Sequence, residues 1–495
     1  MTRLILISLA LFAAGCTTQQ ALHDADSPLG RLRQTLDEKF DDPQFDNAHW
    51  GVLIRSLKTG ETVYARNERK MFMPASNLKL FTSSVAMMTL SPDYRYTTRL
   101  AANGPVKDGV LAGDLVVIGS GDPTISGRYN DGRVTETFEQ WADSLLAKGI
   151  RRIDGAVVGD DNAFEDEPYG TGWSADYETD YYAAQMSALT FNDNCVDVRL
   201  VPSAVTGDLC SLSVVPDTKY VTFINQTVTA PPADSVSDVW FHRVRGTNTV
   251  YVRGRMSPGK PAWLESVAID NPTLYAATVL REVLLSKGIT VAGPAQDIDD
   301  RKDSLRSAGL PVLASFTSVP YSVIVRTINK PSHNLYTEQV LRTIGKERSG
   351  SGVGSVRAGQ SAALPVLASW GVDTVRLRYA DGSGLSRLNL VTPKDIVAIL
   401  EGMHAGPHFL PFYESLPIAG VDGSIRNRMK GTKAEGNVHA KTGFIGYVRA
   451  LSGYVTSADG EMYAFSMIAN HYTVPTRVAE KVQNDVCVLL AGFSR

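Results

Sequence analysis

The sequence predicts a mixed α/β (α+β) protein built on one discontinuous domain that is assembled from both ends of the chain and carries the middle as an insertion. Three observations predict it. Strand-and-helix patterns both open and close the chain, and the stretch between them changes its pattern twice. The 495 residues also exceed what one ordinary core needs at roughly 150 residues per domain. Hydrophobic residues make up 43%, charged residues 20%, and the net charge is -3. That balance is globular and lacks the basic excess with which a nucleic-acid binder neutralises phosphates, so no nucleic-acid partner is expected. The group Arg301, Lys302 and Arg306 reads as solvated loop charge.

Taken in order, residues 1–16 read as an export signal, because Arg3 precedes the apolar run Leu4 to Ala14 and small residues lead into Gly15 and Cys16. The run is shorter than the about twenty apolar residues a membrane span needs. Ala13-Ala14-Gly15-Cys16 resembles a lipoprotein processing box in which Cys16 becomes the lipid-modified N-terminus, although Ala13 stands where leucine is usual. Residues 17–28 follow as a polar tether. The discontinuous domain is expected over 29–95 and 268–495.

Trp50 to Ile54 and Glu61 to Ala65 flank Lys58-Thr59-Gly60 as a hairpin, and a largely buried helix runs from Ser76 to about Leu90. Residues 96–190 read as an inserted α/β unit with one helix near Thr135 to Lys148. Nested in it, residues 191–267 form a β-rich unit, with runs such as Tyr220 to Ile224 and Val250 to Arg255. Helices return at Thr273 to Lys287 and Leu335 to Ile344, and Ala450 to Thr456 pairs with Tyr463 to Ala469 across a turn at Gly460.

Four cysteines are too few to support so long an exported chain. Cys195 and Cys210 are near enough in sequence to form one bridge in an oxidising compartment, with two free thiols as the alternative. Cys487 reads as an inert core residue. No CxxC or HExxH pattern occurs and the eight histidines are scattered, so neither a metal nor a cofactor is expected.

Three short motifs carry chemistry. In Ser76-Asn77-Leu78-Lys79 a serine and a lysine three residues apart at a helix start share a face, and a neutral amine there can take the hydroxyl proton that a serine must lose to attack a carbonyl. Ser332-His333-Asn334, just before a helix, offers a hydroxyl to relay a proton and an amide to hold a carbonyl. Lys441-Thr442-Gly443, on a strand, offers a cation and a hydroxyl to a ligand carboxylate, and its glycine permits close approach. The N–H groups of Phe444 and Ser76 would then form an oxyanion hole. Each motif is cheap alone: Ser257-Pro258-Gly259-Lys260 and Lys58-Thr59-Gly60 repeat two of them in loop settings, and a serine at a helix start is commonly a cap. The ordered set is not cheap, and it is a signature of penicillin-binding proteins and class A β-lactamases.

The chain resembles the D-alanyl-D-alanine carboxypeptidase/endopeptidase family, the class C low-molecular-mass penicillin-binding proteins. The resemblance extends to Gly113-Asp114-Leu115 with Gly119-Ser120-Gly121-Asp122-Pro123, to Tyr181-Tyr182-Ala183-Ala184 with Ser187-Ala188-Leu189, and to Asp381-Gly382-Ser383-Gly384-Leu385-Ser386-Arg387. It implies a penicillin-binding, serine β-lactamase-like transpeptidase domain with domains inserted between the first two motifs. It also implies Ser76 as acylated nucleophile, Lys79 as base, Ser332 as proton relay, and Asn334, Lys441, Thr442, Gly443 and Phe444 as substrate-binding residues. Asp176 is expected near the free amino group of a stem peptide, and Asp381 as a turn residue beside the site.

Two residues depart from the family pattern: His333 replaces an aspartate or asparagine, and Phe444 replaces a serine. The implied partners are peptidoglycan stem peptides and, as inhibitors, β-lactams, acting in the periplasm or cell envelope. The rival readings are a β-lactamase or esterase on the same fold, and a cell-wall scaffold whose catalysis has decayed.

Overall fold

The computed structural model describes residues 26–234, 237–303 and 305–495. The signal, Cys16 and most of the tether lie outside the described residues. Among these, no helix is long and apolar enough to cross a membrane. The expected tether ends earlier than residue 28, since Ser27 accepts from the Gly30 N–H and caps a helix at Pro28–Phe40 that the periodicity did not reveal.

Both ends of the chain do build one sheet. Its strands lie in the order His439–Ile445, Val448–Thr456, Met462–Asn470, His49–Ser56, Thr62–Arg66, all antiparallel. The pleat sends alternate residues to opposite faces. Val52, Ile54 and Leu451 meet the Pro28–Phe40 and Thr476–Gly492 helices, through Leu36, Phe40 and Leu490 among others. Leu53, Ala450 and Tyr454 face a second core with Phe81, Ile324, Tyr336 and Ile399. With both faces covered, eight of the nine residues of Val448–Thr456 are buried, Arg449 and Ser452 among them.

The insertion holds a second five-stranded sheet, in the order Ala295–Asp297, Val157–Asp160, Asp114–Ile118, Thr97–Asn103, Val312–Thr317. The Glu136–Ala147 and Pro272–Ser286 helices pack against it, and two three-stranded sheets between Cys195 and Ala268 share its core through Val198, Leu200, Val250 and Val252. Two of the five strands lie beyond residue 268, the expected return to the first domain. We therefore place the return near residue 320, because the insertion's outer strands need Ala295–Asp297 and Val312–Thr317 as partners. Arg301 is not solvated as expected: it bridges to Asp114 at 3.2 Å and donates to Gln296 at 2.9 Å, tying a loop to this sheet, whereas Lys302 and Arg306 are exposed.

Cys195, Cys210 and Cys487 are buried free thiols. Antiparallel pairing of Cys195–Val201 with Ser211–Val215 puts Cys195 and Cys210 at opposite ends of the ribbon, roughly 20 Å apart at about 3.4 Å per residue, far beyond disulfide reach. Alkylation in denaturant without reductant is therefore expected to label all three residues and the folded protein none of them quickly. Peptide mapping that recovers a Cys195–Cys210 crosslink would contradict the strand register.

Candidate active site

The Ser76 segment is not an α-helix start. Ala75–Leu78 form one 3-10 turn, and the α-helix begins at Lys79 and runs to Thr89. In a 3-10 turn, residues three apart eclipse each other. Ser76 and Lys79 are therefore stacked rather than staggered, with Lys79 Nζ 2.9 Å from Ser76 Oγ. Ala75 takes a left-handed φ of 46° to enter the turn, and Ser76 caps nothing.

Lys79 is fully buried. Its Nζ also donates to Asn334 Oδ1 at 2.6 Å and to the Ser383 carbonyl at 2.8 Å. The orientation of the Asn334 amide is fixed from its other side, where Nδ2 donates to the Tyr182 carbonyl at 2.7 Å. Burial pushes the Lys79 amine down to about 7 against the pull of Asp381 and Glu338. A neutral amine has two protons and one lone pair. Its three neighbours match: two carbonyl oxygens accept, and the Ser76 hydroxyl is left as the donor to the lone pair.

Lys441 lies on the edge strand of the first sheet, also fully buried, with Nζ 2.8 Å from Ser332 Oγ and 2.9 Å from the Thr442 carbonyl. Its amine is lowered by burial first, then by the Lys79 and Arg449 cations. Ser332 holds a left-handed φ of 67° in the break before the Asn334–Arg348 helix. Thr442 shares a hydrogen bond with Ser424 at 2.7 Å. At Gly443, a Cβ would sit 2.5 Å from the Pro74 carbonyl oxygen, so only glycine lets this strand lie against the Ser76 turn. Asn77 staples the two, donating to the Lys441 carbonyl at 2.8 Å and accepting from Ser452 Oγ at 2.5 Å. Phe444 is more than half exposed and turns its ring toward the Arg449 guanidinium.

The 381–387 segment closes the site from the other side. Asp381 accepts from the Gly384 and Ser386 N–H groups, each at 2.7 Å, from Asn389 at 2.8 Å and from Trp173 Nε1 at 2.9 Å, the turn role expected of it. Gly384, at φ 86°, leaves no room for a Cβ beside the Ala75 carbonyl.

Sequence reasoning missed Glu338. Fully buried, it accepts from the Gly382 and Ser383 N–H groups at 2.9 and 2.8 Å and pairs with Arg342 at 3.4 Å. The signal was present as an i, i+4 spacing from Asn334 to Glu338 and on to Arg342, one face of one helix. Asp176 is exposed on a short turn whose neighbours Trp173 and Tyr177 pack with Ala75, Leu385 and Ile445, on the rim of the site.

His333, one of the two departures, is buried against Asp193 rather than facing solvent. The Lys58-Thr59-Gly60 triplet is a hairpin turn, and Ser257 hydrogen bonds to the Asp234 carbonyl in a loop, so neither decoy joins the site. In the inserted unit, one oxygen each of Asp161, Asp166 and Asp299 lie within 4.8 Å of one another, a grouping with no sequence motif.

Comparison with known proteins places the chain in a family. The chain is 34% identical to a D-alanyl-D-alanine carboxypeptidase of Actinomadura sp. (strain R39), over 96% of this chain and 87% of that one. It is 26% identical to the D-alanyl-D-alanine carboxypeptidase DacB of Haemophilus influenzae, over 86% of each chain. The crystal structure of penicillin binding protein 4 (dacB) from the same organism superposes with a TM-score of 0.79 at 25% identity, covering 93% of this chain and 99% of that one. Residues 32–492 match the model of the D-Ala-D-Ala carboxypeptidase 3 (S13) family, and the chain belongs to that family of serine peptidases.

Proposed function

We propose that the protein is a serine D-Ala-D-Ala carboxypeptidase and DD-endopeptidase of peptidoglycan stem peptides, working through an acyl-enzyme on Ser76. The observation that carries this reading is the buried amine of Lys79 at 2.9 Å from Ser76 Oγ, with its other two hydrogen bonds already committed.

In the first step Ser76 Oγ adds to the carbonyl of the penultimate D-alanine and its proton passes to Lys79 Nζ. The oxyanion is held by the N–H groups of Ser76 and Phe444. Collapse breaks the peptide bond, and the leaving amine takes a proton through Ser332. The leaving group is D-alanine in the carboxypeptidase reaction and a cross-linking amine in the endopeptidase reaction. Water then attacks the ester with Lys79 as base, releasing the shortened peptide and Ser76.

Beyond its first residues the Lys441 strand has no sheet partner on its outer side, so an extended peptide can pair with it. Thr442 and Lys441 would hold the terminal carboxylate, whose charge favours the ammonium form of Lys441 that burial opposes. Asn334 would hold the substrate amide, and Asp176 a free amino group of the stem. β-Lactams carry a strained amide to the same serine and inhibit by remaining attached. Export, an envelope location and lipidation at Cys16 rest on residues 1–16 alone.

Intact-mass spectrometry before and after benzylpenicillin tests the nucleophile. One persistent adduct mapped to Ser76, absent in Ser76→Ala, is expected. No adduct with no drug hydrolysis would favour the scaffold reading, and rapid nitrocefin turnover would favour a β-lactamase.

Acylation needs neutral Lys79, whose pKa is about 7. The acylation rate constant is therefore expected to rise about tenfold per pH unit up to that point and level off above it. A stopped-flow profile that is flat between pH 5 and 9 would remove Lys79 as the base.

A further inference from the structure

The imidazole of His333 is 5% exposed. Its Nε2 lies 3.2 Å from Asp193 Oδ2, and its ring packs beside Tyr336 at 4.6 Å between centroids. A carboxylate only accepts, so Nε2 carries the proton of that bond. Nδ1 is buried without a hydrogen-bond partner among the described residues. Asp193 is thus the polar group that sets the angle of the ring.

Asp193 comes from the insertion, at the turn before the Cys195–Val201 strand. Arg128 Nη2 holds its Oδ2 at 2.7 Å, and Tyr336 donates to its Oδ1 at 3.1 Å. Burial would raise its carboxyl, but His333 and Arg128 outweigh burial and hold it well below the usual carboxylate range.

The backbone here is strained. Asn192, Asp193 and Asn194 have φ of 46°, 55° and 55°, all left-handed. A run of three such residues costs free energy and persists only where its surroundings demand it. Besides the buried contacts of Asn192 and Asn194, it brings the Asp193 carboxylate to the His333 imidazole. That imidazole sits between Ser332, which is bonded to Lys441, and Asn334, which is bonded to Lys79.

We infer that Asp193, backed by Arg128, is a positioning residue for the peptidase: acting through His333, it fixes the backbone from which Ser332 and Asn334 reach the two lysines. The inference rests on the acyl-enzyme reading above. By this route the insertion takes part in catalysis through a residue that does not itself touch the substrate.

The test compares D-alanine release from a peptide ending in D-alanyl-D-alanine for the wild type, Asp193→Ala, Asp193→Asn, His333→Asn and the Asp193→Ala/His333→Asn pair. Thermal melts report folding. Asp193→Ala is expected to lower kcat about 10- to 100-fold with KM changed by less than about threefold. Asp193→Asn keeps an acceptor for the imidazole N–H and should recover most of the loss. In the His333→Asn background, removing Asp193 should cost less than about twofold, as a shared path requires.

Unchanged kcat in a folded Asp193→Ala, or equal losses in both backgrounds, would overturn the inference. Should Asp193→Ala not fold, Arg128→Met at the exposed end of the same contacts takes its place. A kcat loss confined to the His333 background then supports the inference, and equal losses or none overturn it. A wild type that penicillin fails to acylate overturns the acyl-enzyme reading itself. A reactive wild type with indifferent Asp193 and Arg128 variants overturns the positioning role alone.

Discussion

Everything at this site is arranged around keeping one amine dry. Lys79 Nζ meets three oxygens from three segments: Ser76 beside it, Asn334 at 255 residues' separation and Ser383 at 304. Two of these oxygens are themselves held, Asn334 through its Nδ2 on the Tyr182 carbonyl and the Ser383 carbonyl through its peptide N–H at Gly384 on Asp381. Burial makes the neutral amine accessible near pH 7, while the carboxylates of Asp381 and Glu338 keep the shift from going further. Those carboxylates are committed to backbone N–H groups, so they act on Lys79 through their field and do not take its proton.

The second lysine shows the same economy. Lys441 is buried, and burial first, then positive charge on its neighbours Lys79 and Arg449, disfavours its ammonium form. On the proposed function an incoming carboxylate would offset that cost, so the free C-terminus of a peptide would meet a site arranged for it before binding.

Much of this was legible in the sequence. The spacing of Ser76 and Lys79, the ordered motifs and the discontinuous sheet could be read because each depends on local pattern or chain order. The 3-10 geometry at Ala75–Leu78 could not, since it is set by a strand and a glycine loop contributed from residues 384 and 443, far away in sequence. Glu338 looked like an ordinary helix charge until the 381–384 loop was seen to close over it. The boundary near residue 320 was hidden for a related reason: Pro272–Ser286 reads as an amphipathic helix wherever it packs, and only its place in the insertion's core, with the pairing of the strands that follow, groups it with the insertion. Nothing local shows what His333 meets, because its partner lies 140 residues earlier in the chain.

The central position of the His49–Ser56 strand has a consequence for biosynthesis. Its neighbour on one side, Thr62–Arg66, is made at once, but its neighbour on the other, Met462–Asn470, is made about 400 residues later. Until then the strand keeps an unpaired apolar edge, a template for aggregation. The insertion, whose sheets pair within its own span, can condense while the first sheet waits. A chain interrupted between residues 79 and 439 carries the Ser76–Lys79 pair but lacks the strand that carries Lys441, so on the proposed mechanism such a fragment would not cut peptidoglycan.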